Sequence, residues 1–93
     1  SVRILFAEDD PNLGLVVQEY LEMKGYAITL CEDGQQAEQA FGQQAFDLCV
    51  LDVMMPKLDG FGLLKRIRAK NPHMPVIFTT AKGRLEDKAE GFQ

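Results

Sequence analysis

Three short polar groups in this chain are spaced so that they could do chemistry together. Glu8, Asp9 and Asp10 follow one apolar run, Asp52 follows a second, and Thr79 and Thr80 follow a third. Two charges about 4 Å apart repel by about 4 kcal/mol at an effective dielectric near 20. Clustered carboxylates therefore need either a shared proton or a cation among them. An all-oxygen site open to water favours Mg²⁺, held by a few carboxylates with several waters kept. A carboxylate beside such an ion can attack phosphorus and become an aspartyl phosphate. A threonine hydroxyl can donate to another phosphoryl oxygen.

Each group alone has a plainer reading. An acid pair after a strand is more often a helix cap, by about two to one. A single Asp there is usually a turn residue, and Thr-Thr-Ala is usually the end of a strand. The chemical reading rests on all three groups falling at successive strand ends of one sheet.

The elements that must place them follow from hydropathy. Val2 to Ala7 reads as a buried strand. Pro11 opens a helix capped by Asp9 or Asp10, with Leu13, Val16, Val17, Tyr20 and Leu21 on one face and Gly25 as its stop. Ala27 to Cys31 is a second strand. Asp33-Gly34 turns the chain into a short helix with Ala37, Ala40 and Phe41 inward, stopped at Gly42. Phe46 to Leu51 is a central strand buried on both faces, and Val53 to Asp59 is a loop. A third helix follows Gly60, with Phe61, Leu63, Leu64 and Ile67 inward, and ends at Asn71-Pro72. Pro75 to Phe78 is a fourth strand, and Leu85, Ala89 and Phe92 begin a fourth helix. The order β-α-β-α-β-α-β-α predicts an α/β fold with a doubly wound parallel sheet and helices on both faces. Right-handed crossovers gather the loops after the strands on one edge, where such folds carry their sites.

Composition narrows the class. A chain of 93 residues suits one domain, and 46% apolar with 26% charged residues is ordinary for a globular protein. No apolar run approaches a membrane span, and no basic-then-apolar signal segment opens the chain. Cys31 and Cys49 lack metal-ligand spacing and lie in apolar stretches, so they read as buried free thiols of a reducing cytoplasm. The net charge of −4 argues against direct nucleic-acid binding. Ten of the acids precede Lys57 and eight of the bases lie from Lys57 onward. Lys65, Arg66, Arg68 and Lys70 read as one solvated helix face rather than a phosphate patch.

Three stretches carry a family resemblance: Ile4-Leu5-Phe6-Ala7-Glu8-Asp9-Asp10, Leu51-Asp52-Val53-Met54-Met55-Pro56-Lys57-Leu58-Asp59-Gly60, and Val76-Ile77-Phe78-Thr79-Thr80-Ala81. They resemble the receiver domain of two-component response regulators, and the likeness runs through essentially the whole chain. The resemblance implies a flavodoxin-like receiver fold, with four of the usual five βα units in residues 1–93. It implies that Asp52 is the phosphoacceptor and, with Asp9, a direct Mg²⁺ ligand. Glu8 would act on the metal through water, and the backbone carbonyl of Met54 would be the third protein ligand. Thr80 would be the switch hydroxyl, and the backbone N–H of Ala81 would hold the same phosphoryl oxygens. Lys82 falls where the family tunes phosphoryl lifetime. Asp10 is left to cap the first helix.

The implied function is a cytoplasmic signalling switch in a phosphorelay, not an enzyme beyond assisting its own phosphorylation and dephosphorylation. The implied donor is a phosphohistidine on a sensor histidine kinase, and the readout is an effector domain in a longer parent chain. No membrane contact is implied. The family's fifth strand, with its Lys-Pro, and its fifth helix are expected beyond Gln93. A chain ending there would expose its fourth strand to edge pairing or homodimerisation. Three rivals stand beside this reading. A receiver-like module that is never phosphorylated would fit the absent lysine. A phosphohydrolase is disfavoured because Met54 stands where its general acid belongs. A flavin site is disfavoured because Glu8, Asp9 and Asp10 repel a phosphate.

Overall fold

In the computed structural model the structure describes residues 1–79. The expected fourth helix, with Leu85, Ala89 and Phe92, lies outside the described residues, as do Thr80, Ala81 and Lys82. Within them run β1 (Arg3–Ala7), α1 (Pro11–Met23), β2 (Ala27–Cys31), α2 (Gly34–Gln43), β3 (Leu48–Asp52), α3 (Gly60–Lys70) and β4 (Val76–Thr79). The four strands form one parallel sheet in the order β2-β1-β3-β4.

Local chemistry explains each helix start. Asp10 caps α1, accepting from Asn12 N at 3.0 Å and Leu13 N at 3.3 Å, with Pro11 in the first turn. Asp33 caps α2 through Gln36 N at 2.8 Å, and Asp59 caps α3 through Gly62 N at 2.8 Å. Gly25, at φ +97°, ends the turn after α1.

Alternation divides the sheet into two faces. Leu5, Ala7, Cys31, Cys49 and Leu51 point to one face and are buried there with Ala37 of α2 and Leu63 and Ile67 of α3. Ile4 and Phe6 point to the other face, and α1 covers β2 on that side, its Gly14 lying against Leu30.

Several boundaries and faces differ from the sequence reading. Phe46 precedes β3 instead of opening it, yet stays in the core and stacks on Phe41 at 6.4 Å between ring centroids. Asp52 is the last residue of β3 rather than the first of the loop. Gly42 does not stop α2. The helix continues to Gln43 and ends because Gln44 turns extended, at φ −148° and ψ 164°. Val16 and Tyr20 are 64% and 55% exposed. The side chain missing at Gly14 lets the helix settle on Leu30, so the inward arc centres on Gly14 and Leu21, and Val16 and Tyr20 rotate outward. The Lys24 ammonium lies over the Tyr20 ring at 5.3 Å. Phe61 is also half-exposed, two residues before the buried Leu63 and so on another side of the helix from the Leu63–Ile67 line, with its ring 5.0 Å from that of Phe78.

Both cysteines are buried free thiols, as expected. Burial, with Asp33 adding to it, pushes the Cys31 thiol from 9.0 up to about 11. Burial also pushes Cys49 to about 11, with Arg68 acting in the opposite direction. Native protein at pH 8 is expected to react with an aromatic disulfide reagent about a hundredfold more slowly than urea-unfolded protein. The unfolded chain loses these thiol protons first as pH rises. Their contribution to stability is therefore complete below about pH 9 and declines toward pH 11, which urea midpoints across that range will show.

Candidate functional site

The strand order reverses between β1 and β3, because β1 leads outward to β2 while β3 leads the other way to β4. Such a switch point opens a crevice at the carboxyl ends of the two strands. The register pairs Ala7 with Leu51, so the next residues out, Glu8 and Asp52, meet across one strand spacing of about 4.8 Å. One carboxylate oxygen from each of Glu8, Asp9 and Asp52 lies within 4.8 Å of the others. The structure thus brings together the three acids singled out from the sequence.

Glu8 and Asp52 are held by backbone. Glu8 is 1% exposed, its N–H donates to Cys31 O at 2.9 Å, and its Oε2 accepts from Asp10 N at 3.0 Å. Asp52 has no exposed surface, and its Oδ1 accepts from Met54 N at 3.3 Å. Asp9 is half-buried between them. Asp10 is committed to the cap of α1, which separates its role from that of its neighbours.

Within 4.8 Å and at an effective dielectric near 20, each pair of carboxylates repels by at least about 3.5 kcal/mol. All donors are hard anionic oxygens, which fits a hard divalent cation such as Mg²⁺ better than zinc or copper. Mg²⁺ is therefore expected to raise the unfolding temperature of wild type. Asp9→Asn is expected to weaken that response at least about tenfold in the Mg²⁺ concentration needed. Thermal unfolding across a magnesium series checks both, and an equal response in the variant would remove Asp9 from the site.

Thr79 is the register partner of Asp52 across β3 and β4, on the same sheet face. Its Oγ1 is buried with no hydrogen-bond partner among the described residues. The sequence grouped Thr79 with Thr80 after a fourth strand ending at Phe78, whereas β4 runs through Thr79. Only the register makes it the lateral neighbour of the acid. Thr80 and Ala81 follow it outside the described residues.

The loop after Asp52 closes on itself, with Gly60 N donating to Val53 O at 2.9 Å. Met54 presents its side chain to solvent, 41% exposed, while its N–H faces the acid. Lys57 has φ +70° and its Nζ lies 3.4 Å from Asp33 Oδ2. The Gln36 backbone N–H, with Lys57 adding, holds the Asp33 carboxyl below its usual range against an opposing effect of burial. The sequence signal for Asp33 was only the turn pair Asp33-Gly34, and nothing linked it to Lys57.

A family model described as the response regulator receiver domain matches residues 4–93. Transcriptional regulatory protein RprY of Bacteroides fragilis is 52% identical over 93 residues, which is 100% of this chain and 39% of that protein. Transcriptional activator protein PfeR of Pseudomonas aeruginosa is 39% identical over 92 residues, covering 99% of this chain and 30% of that protein. The chain thus spans well under half the length of these curated relatives. Among solved structures, the receiver domain of a sensor histidine kinase from Pseudomonas aeruginosa has a magnesium ion coordinated in its active-site cleft. It superposes with a TM-score of 0.85 at 34% identity, over 97% of this chain and 75% of that one. A complex of the histidine kinase ThkA with the response regulator TrrA, the latter from Thermotoga maritima, contains a chain that superposes with a TM-score of 0.80 at 31% identity, over 90% of this chain and 74% of that one. With the family model running from residue 4 to residue 93 and the acidic triad at the switch point, the chain belongs to the response regulator receiver domain family of two-component signalling.

Proposed function

We propose that Asp52 accepts a phosphoryl group from a phosphohistidine on a sensor histidine kinase, in a Mg²⁺-dependent step. The observation that carries this reading is the convergence of Glu8, Asp9 and Asp52 within 4.8 Å at the end of the central strand. The residues that would hold the ion are Asp9, Asp52 and the Met54 carbonyl, with Glu8 acting through water. Bound there, Mg²⁺ offsets the negative charge that otherwise repels the phosphoryl donor.

The chain's own residues do the rest. The Met54 N–H fixes the plane of the Asp52 carboxylate through Oδ1. A carboxylate oxygen forms the new O–P bond as the P–N bond of the donor breaks, and the departing imidazole takes a proton from solvent. Glu8 and Asp10 N–H brace the first loop against movement. Thr80 then donates its hydroxyl to a phosphoryl oxygen, and the Ala81 N–H donates to the same group. This makes the chain a switch that assists its own phosphorylation and dephosphorylation rather than an enzyme with an external substrate.

The similarity to named transcriptional regulators supports an output domain outside these residues, with transcription as the readout. The complex of ThkA with TrrA supports a kinase as the direct partner. No described helix is long and apolar enough to cross a membrane, and the buried free thiols suit the cytoplasm. Residues 1–93 would then act as the receiver module of a longer chain.

The test is to expose the protein to Mg²⁺ and a small phosphodonor, reduce the acyl phosphate with borohydride and map the modified residue. Modification at Asp52 is expected. Modification at Asp9 or Glu8 instead would refute the assignment.

A further inference from the structure

We propose that the Asp33–Lys57 ion pair is a positioning device that holds the loop between β3 and α3, and with it the Met54 carbonyl, in place for a metal ion at Asp52. This rests on the metal-dependent reading of Asp52 given above.

The loop is clamped at its base by Asp52. The Met54 N–H donates to Asp52 Oδ1, and a Cβ at Gly60 would lie 2.6 Å from Asp52 O and 3.0 Å from Val53 Cα. These contacts fix where the loop starts and ends, not where its outer lobe goes. The lobe at Lys57 and Leu58 leans on the first turn of α2. A Cβ at Gly34 would lie 1.9 Å from Leu58 O, so the loop backbone rests directly on the helix backbone.

Lys57 is the one non-glycine residue with positive φ among the described residues. A lysine in that region is strained by about 1 kcal/mol or more, and it lacks the short polar side chain that lets Asn or Asp relieve it locally. Something outside the loop must hold it there. The Lys57 ammonium reaches Asp33 Oδ2 at 3.4 Å, and the Asp33 side chain is only 9% exposed. The same carboxylate gives its other oxygen, Oδ1, to Gln36 N at 2.8 Å. Asp33 is therefore anchored in a rigid helix start by one oxygen and reaches the loop with the other. A site held by a supporting contact of this kind keeps its geometry, whereas an unsupported loop lets it loosen by an ångström or so.

A plainer role for Asp33 is to cap α2 and nothing more. Asparagine separates the two roles, since it caps a helix as well as aspartate but cannot attract an ammonium. Wild type, Asp33→Asn, Lys57→Gln and the double variant would be titrated with Mg²⁺ alone, following loop amide shifts by NMR. Each single variant is expected to raise the Mg²⁺ Kd about three- to fivefold and to shift the Met54 amide before metal is added. The double variant should be no weaker than either single one, and Lys57→Arg should stay within about twofold of wild type. Thermal unfolding without metal should move little in Asp33→Asn. If Asp33→Asn loses the fold, Lys57→Gln, altered at an exposed tip, carries the same readout. Unchanged Kd in the single variants, or effects that multiply in the double variant, would overturn the positioning role while leaving the metal site standing. A wild type that binds no Mg²⁺ would overturn the metal-dependent reading itself, and this inference with it.

Discussion

Asp52→Asn is expected to abolish phosphoryl labelling while making the metal-free protein more stable. The two effects have opposite signs and one cause. An amide has neither the charge nor the nucleophilic oxygen to attack phosphorus, so incorporation should fall by roughly a thousandfold or more. Removing the charge also relieves its repulsion with Glu8 and Asp9, at least about 3.5 kcal/mol gross for each pair within 4.8 Å. Solvent and neighbouring dipoles discount that heavily, leaving about 1 kcal/mol of net stabilisation. A domain of this size gains about 4–8 °C in unfolding temperature per kcal/mol. Added Mg²⁺ should narrow the gap, because it stabilises wild type and has lost a ligand in the variant. Loss of labelling together with a lower unfolding temperature would mean that Asp52 supports the fold rather than sitting in a strained acidic cluster.

The second large effect concerns the two glycines that seat the loop after Asp52. At Gly60 a methyl group would lie 2.6 Å from Asp52 O, 3.0 Å from Val53 Cα and 3.2 Å from Asp52 C. All three are backbone atoms of the site strand and its exit, so none can step aside as a flexible side chain does. At Gly34 the obstacle is Leu58 O at 1.9 Å, again backbone. Alanine at either position is expected to destabilise the protein by about 3 kcal/mol, read as a lower urea midpoint with unchanged slope. Gly14 makes the contrast. A methyl there meets Leu30 Cδ1 at 3.1 Å, the far end of a side chain that can rotate. The gain in helix propensity of about 1 kcal/mol offsets the crowding, so Gly14→Ala should be nearly neutral. Equal losses at all three positions would show that helix and loop packing, not backbone contact, sets the tolerance.

The element order and the site acids were legible because both are local properties. Alternating apolar runs separated by Asp-Pro, Asp-Gly and Asn-Pro pairs mark strands and helices without any tertiary information. An acid just before Pro11 announces the cap of α1 by position, whereas Asp59 read only as the end of a loop and its cap of α3 emerged from the structure. Glu8, Asp9 and Asp52 could be grouped because a β-α-β order with right-handed crossovers leaves few ways to arrange the strand ends. The faces of α1 were less legible. Val16 and Tyr20 are as apolar as Val17 and Leu21, and hydropathy alone does not report that a glycine lets the helix roll toward Leu30.

Sequence by itself thus determined that this chain is a parallel α/β receiver with carboxylates at the ends of its first and third strands. Periodicity, turn residues and motif spacing are all written along the chain. The tertiary structure decided which groups meet. It set Thr79 beside Asp52 through the strand register. It laid Leu58 on Gly34 and joined Lys57 to Asp33, residues 24 positions apart. Such pairings depend on how a loop closes in three dimensions and on which side chain is small enough to let it. No local pattern encodes those conditions, because they belong to two segments at once.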